Sequence, residues 1–262
     1  MKILAIISMT IKQRLSYRGA VWFGIIASIV SIIVYYYLWA AVFLHRENFY
    51  GYTFPMIVTY VVLSRIIASQ FSGGINGVLA QWVYDGTIAA ELLRPVSLMG
   101  SLFSQRLGEL VHFMFVKALP LGIVISIILG VLPPSGWLAG LLFTAGIFLS
   151  VIMLFFIEFI VGLLSFYTLN YYGVIFAKDA LLTVLSGGLV PLVLFPDKIR
   201  KAVELLPFKY LVSIPVNTYI GILSPAEALH ALGLEAVWTA VLAGLGFLLF
   251  RKAIKKVTVQ GG

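Results

Sequence analysis

The side chains that most often carry catalysis or bind metals are scarce in this sequence. It has no cysteine, which excludes disulfides, thiolate metal ligands and cysteine nucleophiles. Its histidines, His45, His112 and His230, are too far apart for any metal-ligand spacing. The chain also lacks the glycine-rich loop that cradles nucleotide phosphates, the serine-hydrolase elbow and the His-Glu-x-x-His zinc motif. We therefore expect no catalytic residue, no metal site and no cofactor in this chain.

Three charged residues, Arg65, Lys117 and Glu158, stand inside long apolar segments. If these segments cross a bilayer, such charges are costly and by default suggest a function, so the three are candidates for a substrate pathway or for intramembrane pairing. Glu158 could pair with Arg65 or with Lys117, and a structural pair is favoured over a proton relay. Arg65 could instead extend to the membrane surface, because it lies only a few residues before Ser72. Arg106 and Glu109, three residues apart, could form an ion pair.

The composition requires a membrane around these charges. Hydrophobic residues make up 61% of the chain and charged residues 11%, whereas soluble domains carry about 25% charged residues. The net charge of +8 is concentrated at the ends of apolar segments, which favours contact with membrane lipids rather than with nucleic acid. With no linker or repeat to divide it, the sequence predicts a single transmembrane domain over residues 1–262.

The apolar pattern predicts an all-α membrane protein with about six transmembrane helices. The expected spans are residues 20–44, 54–71, 107–131, 137–167, 180–195 and 232–250. Glycines and a proline within the fifth span favour a kinked or broken helix there. Residues 1–19 have apolar side chains at helical spacing, which predicts an amphipathic helix at the membrane interface.

Lysine and arginine are more frequent in the segments that share a side with the two termini. The positive-inside rule then places both termini in the cytosol and residues 196–224 outside, as a region that re-enters the membrane before the last span. Ser224-Pro225-Ala226-Glu227 is a capping box that starts the final helix. If the charged residues 196–210 were cytosolic, the fifth apolar segment would be a re-entrant hairpin rather than a span.

Residues 78–106 form the longest moderately polar segment, and a short helix is expected within it. Thr87 could cap this helix, Ile88 and Leu92 share one face, and Pro95 ends it. Such a helix could insert into another protein, or it could be an ordinary interfacial turn.

The order of these parts resembles the type-2 permease family of ABC exporters. The stretch from Gly86 to Val96 is similar to the family's coupling helix, and Leu206 to Gly221 is similar to the segment before its last span. The resemblance implies that a separate ATPase subunit grips the cytosolic coupling helix and holds the ATP and magnesium. The residues that match this coupling role are Gly86, Thr87, Ile88, Glu91, Leu92, Leu93, Arg94 and Pro95.

The same resemblance implies a second permease subunit, identical or different, around a shared pathway in the plasma membrane of a prokaryote. The alternative function is a transporter that acts alone and is driven by ions or protons. Intramembrane catalysis is the weakest alternative, because no pair of nucleophile and base is visible.

Overall fold

The computed structural model describes residues 2–72, 74–168 and 171–256, which are overwhelmingly helical. The helices are α1 Lys2–Ser16, α2 Arg18–Phe43, α3 Phe54–Ala68, α4 Ile75–Tyr84, α5 Ile88–Leu92, α6 Leu98–Phe113, α7 Leu119–Leu129, α8 Trp137–Leu163, α9 Tyr171–Leu185, α10 Asp197–Glu204, α11 Ser213–Ile220 and α12 Pro225–Ala253. The strands β1 Asn48–Phe49 and β2 Tyr52–Thr53 pair as an antiparallel hairpin. The predicted all-α class is confirmed, apart from this small hairpin.

Four helical stretches are long and apolar enough to cross a membrane. They are Val21–Phe43, Leu98–Leu129, Trp137–Phe166 and Pro225–Ala253, and they match the first, third, fourth and sixth predicted spans. These stretches indicate a multi-pass membrane protein. The count of six stays a prediction, since α3 is an apolar helix of only 15 residues, about 22 Å long.

The fifth predicted span differs most from the structure. This span was expected to begin at residue 180, but α9 already begins at Tyr171, and Lys178 and Asp179 lie within it. A helix tolerates these charges because Lys178 pairs with Asp179 at 2.6 Å and donates a hydrogen bond to the carbonyl oxygen of Phe71 at 2.8 Å. The predicted break is found: α9 ends at Leu185, and Gly187 follows with φ of +81°.

The third predicted span begins nine residues earlier than expected. Ser97 caps α6 by accepting a hydrogen bond from the amide of Gly100, and helical structure continues to Leu129 through a π-helical turn at Met114–Ala118. The N-terminal helix α1 packs along α6. A Cβ atom at Gly108 would lie 2.9 Å from the carbonyl oxygen of Ile7, so this close approach depends on glycine.

Helix α8 lies at the centre of the core, between α4, α11 and α12. Small residues on α8 allow this close packing. Gly162 faces Leu79 of α4, and Gly146 faces Pro215 of α11. A hydrophobic side chain at either glycine would push these helices apart.

The connections group at two ends of the helices. At one end, the hydroxyl of Tyr52 donates to Oδ1 of Asn217 at 2.8 Å, and the amide of Ser135 donates to the carbonyl oxygen of Tyr219 at 2.9 Å. Burial raises the pKa of Tyr52 to about 12, so its hydroxyl stays a donor at neutral pH. At the other end, Ile88 of α5 shares a hydrophobic cluster with Ala253 of α12.

Residues 196–224 fold as α10, a 3-10 turn at Pro207–Leu211 and α11. The capping box that follows them is formed. The backbone amide of Ser224 donates to Glu227 at 2.8 Å, and the amide of Glu227 donates to the Ser224 hydroxyl at 3.3 Å.

Candidate functional site

The predicted coupling segment forms a sharp bend followed by a helix of five residues. Gly86 has φ of +73°, a conformation that side chains other than glycine rarely adopt, and it lets the chain turn between α4 and α5. Thr87 is not the side-chain cap that we expected. Its backbone is already helical, and its hydroxyl lies 3.5 Å from the carbonyl oxygen of Trp82, where it cannot reach the free amides of α5.

The inner face of α5 is anchored in the protein. Ile88 is 5% exposed and lies in a hydrophobic cluster with Leu79, Leu102 and Phe159, and Leu92 packs against that cluster. Because these residues come from α4, α6 and α8, a force applied to α5 would reach three helices at once.

The charged residue of α5 is also buried. The Glu91 side chain is only 9% exposed and forms a salt bridge of 3.0 Å with Arg94, whose own side chain is 62% exposed. Glu91 is therefore a structural support for Arg94 rather than a free contact for another protein.

The outer side of this segment faces away from the core. We call Tyr84, Thr87, Leu93, Arg94 and Pro95 the exposed rim; all five are exposed, and Leu93 is 86% exposed. A leucine in this position has no apolar neighbour to cover it. The rim offers apolar contacts, chiefly Leu93, and one cationic contact, Arg94, on a turn that is anchored to the core.

Arg65 connects three parts of the membrane region. Its Nε donates to the hydroxyl of Ser31 at 2.9 Å, its Nη1 lies 3.4 Å from the carbonyl oxygen of Gly188, and its guanidinium stacks over the ring of Tyr35 at 5.1 Å. These contacts link α3 to α2 and to the break after α9. Arg65 thus has partners inside the protein and does not pair with Glu158.

Glu158 pairs with Arg106, and the predicted pairing with Arg65 or Lys117 is wrong. Nη2 of Arg106 lies 3.6 Å from Oε1 of Glu158, and its Nη1 lies 3.3 Å from Glu109, so the predicted Arg106–Glu109 pair is confirmed. Arg14 of α1 also pairs with Glu109. The reason is geometric: Arg106 lies within α6, and its buried side chain faces Glu158 of α8.

The turn before α4 supplies a second contact to Glu158. The amide of Ile75 donates to Oε2 of Glu158 at 3.3 Å. A Cβ atom at Gly74 would lie 2.3 Å from this carboxylate, and Gly74 has φ of +70°. Only glycine fits both requirements, so Gly74 is a structural requirement of this site that sequence reasoning missed; the Ser-Gly-Gly run was its only signal.

Lys117 lies on the π-helical turn, apart from Glu158 and Arg65. A Cβ atom at Gly24 of α2 would lie 3.8 Å from Nζ of Lys117. In the described ranges this ammonium group forms no salt bridge.

Sequence reasoning also missed Glu235 on α12. It is 1% exposed, and its Oε1 lies 2.9 Å from the hydroxyl of Ser150 on α8. The signal was available, since Glu235 falls within the last predicted span. Across residues 2–72, 74–168 and 171–256, no group of three or more His, Asp or Glu side chains could hold a metal ion.

A comparison with known protein families gives a match over most of the chain. The family model described as ABC-2 family transporter protein matches residues 29–261. A search of curated proteins finds no match to the chain. The family match covers every predicted membrane span beyond the first part of α2, together with the α4–α5 bend and the exposed rim.

Proposed function

The chain belongs to the ABC-2 transporter family, and from this membership we propose that it is the permease subunit of an ATP-driven exporter whose ATPase is a separate protein. The chain provides half of a pathway, and a second permease subunit, identical or different, provides the other half. ATP and magnesium bind to the ATPase partner. Membership supports a membrane transport component that is not itself catalytic.

The observation that carries the proposal is the exposed rim on an anchored turn. Leu93 and Arg94 face outward, while Ile88 fixes the same turn to the core. A partner that grips the rim moves the helices behind it. In this proposal the rim and both termini face the cytosol of a prokaryotic cell, and residues 196–224, at the end that carries the β1–β2 hairpin, face outward.

The test is substitution of the most exposed rim residue. Leu93→Ser removes the apolar contact without opening a cavity, because the side chain contacts little of its own protein. We expect ATP-driven transport by the complex in vesicles to fall at least tenfold while the variant is still inserted and stable. Leu205→Ser is the matched control, since Leu205 is 76% exposed at the other end.

Wild-type transport rates in Leu93→Ser would refute the coupling role. Transport by the purified chain in vesicles without ATP would instead establish the alternative, a transporter that acts alone. Glu91 and Leu92 are poorer targets, because both contact the core and their loss would disturb the fold.

A further inference from the structure

A cavity of about 470 Å³ lies between the α1–α2 junction, the turn before α4 and helix α6. Side chains around it include Arg14, Gln70, Arg106, Glu109, His112 and Lys117, and we call it the basic chamber. It is separate from the exposed rim, and the proposed coupling role makes no use of it.

The charges of the basic chamber do not balance. Arg14 and Arg106 share Glu109, and Arg106 also faces Glu158. Lys117 adds a third cation that forms no ion pair within the described ranges. Three cations against two carboxylates leave one positive charge, which favours an anion.

Arg106 forms part of the chamber wall and is 2% exposed, and its Nε has no hydrogen-bond partner among the described residues. Buried polar groups are nearly always satisfied, so the guanidinium is not fully satisfied by its protein partners. The π-helical turn places Lys117 on the same wall, and such turns often occur at functional sites.

A second cavity continues from the chamber into the apolar region. It has a volume of about 240 Å³ and is lined by α3, the α6–α7 helix and α8, and we call it the apolar groove. Leu63, Met114, Gly122, Phe143 and Ile147 are among its walls. The two cavities adjoin each other, because they share three lining residues, Gln70, Arg106 and Phe113.

The two cavities run side by side along the α6–α7 helix, the chamber from Arg106 to Lys117 and the groove from Arg106 to Gly122. The chamber lies at the break between α1 and α2, beside the charged Arg14. Along the α6–α7 helix, Arg106 and Gly122 are sixteen residues apart, or about 24 Å. One leaflet of a hydrocarbon core is about 15 Å thick, so the groove is long enough for an acyl chain.

We propose that the basic chamber and the apolar groove together bind one anionic membrane lipid. The phosphate group occupies the chamber, close to Lys117, Arg106 and Arg14, and an acyl chain occupies the groove. The unbalanced charge selects an anionic over a zwitterionic head group. The groove favours a lipid over a free anion, because its apolar walls can bury an acyl chain but make no favourable contact with inorganic phosphate.

The experiment uses the full chain in nanodiscs of phosphatidylcholine, without ATP, and a phosphatidylglycerol probe with a photoreactive acyl chain. We expect cross-links on α3, α7 and α8 that unlabelled phosphatidylglycerol prevents and that phosphatidylcholine or inorganic phosphate does not. Lys117→Gln should lower labelling roughly fivefold, the effect of one interfacial cation. Lys117→Arg should restore it, and Lys201→Gln, an exposed cation on α10, should leave it unchanged.

The groove is tested by a matched pair at one position. A Cβ atom at Gly122 meets its nearest neighbour only at 4.0 Å, so Gly122→Ala should fold and bind normally. Gly122→Phe fills the groove and should abolish labelling while the protein elutes as the wild type does on size exclusion.

Equal labelling of the groove by a phosphatidylcholine probe, or an unchanged signal in Lys117→Gln, would overturn the proposal. If inorganic phosphate displaced the probe as effectively as phosphatidylglycerol does, the site would be an anion site rather than a lipid site. Binding is measured without the ATPase, so this result stands apart from the coupling test.

Discussion

At the scale of single residues, the buried charges of this protein act as supports between helices. Arg106 joins α6 to α8 through Glu158, and Arg14 ties α1 to the same place through Glu109. Removing one partner of a buried ion pair is strongly destabilising, because it leaves the other charge uncompensated. This arrangement favours structural pairing over a proton relay.

Gly74 should be the most sensitive glycine beside this network. Gly74→Ala forces a side chain into a backbone region that is essentially restricted to glycine and pushes the new methyl group into Glu158. We expect a loss of stability of about 1–3 kcal/mol, measured as a lower midpoint of thermal unfolding in detergent.

Gly77→Ala is the control for that change. Gly77 lies within α4, and a Cβ atom there would meet nothing within 4 Å. Alanine is the better helix former by about 1 kcal/mol, so this variant should unfold at the wild-type temperature or above. Equal unfolding temperatures for the two variants would contradict the account of Gly74.

At the scale of elements, local signals at helix ends decide where the chain turns. Gly86 and Gly187 both have positive φ, a backbone conformation that residues other than glycine rarely adopt. At Gly187 a Cβ atom would lie 2.7 Å from the hydroxyl of Tyr60. Ser224 and Glu227 start α12 by satisfying two of its free amides.

The contribution of the N-terminal cap of α12 to stability can be measured. Ser224→Ala removes the hydroxyl that accepts from the amide of Glu227, which should cost about 1 kcal/mol and lower the unfolding temperature by about 2–4 °C. Thr144→Ala is a suitable control, because the exposed Thr144 hydroxyl bonds only to a carbonyl of its own helix. A wild-type unfolding temperature for Ser224→Ala would show that packing alone holds the start of α12.

At the scale of the whole molecule, the structure groups the connections at two ends. The β1–β2 hairpin contacts α11 through Tyr52 and Asn217, which places the hairpin with residues 217–219. The exposed rim lies at the opposite end, with the end of α12. In the proposed topology these two ends face opposite sides of the membrane.

The absence of cysteine makes this topology directly testable. Single substitutions Leu93→Cys, Tyr50→Cys and Lys198→Cys introduce the only thiol at exposed positions. In intact cells, a thiol reagent that cannot cross the membrane should label residues 50 and 198 but label residue 93 only after lysis. Labelling of residue 198 only after lysis would place α10 in the cytosol.

The sequence by itself determined that this protein lies in a lipid bilayer and that its fold is helical. Apolar segments of this length with so few charges can only be stable in lipid, which requires helices, and four such helices are found. The pattern around Gly86 and Pro95 also indicated the family, since the bend and short helix depend on local residue types. These features depend on residues that are close to one another in the sequence, so they can be predicted from the sequence alone.

Only the tertiary structure decided which charges meet. Arg65, Lys117 and Glu158 look equivalent in the sequence, yet Glu158 pairs with Arg106, Arg65 binds Ser31, and Lys117 faces the basic chamber. An ion pair between helices depends on the depth and rotation of both helices, and it is Arg106 of α6 that faces Glu158 of α8. Distances between side chains on different helices are set by how the helices pack, and the residue pattern along a single helix gives no information about that packing.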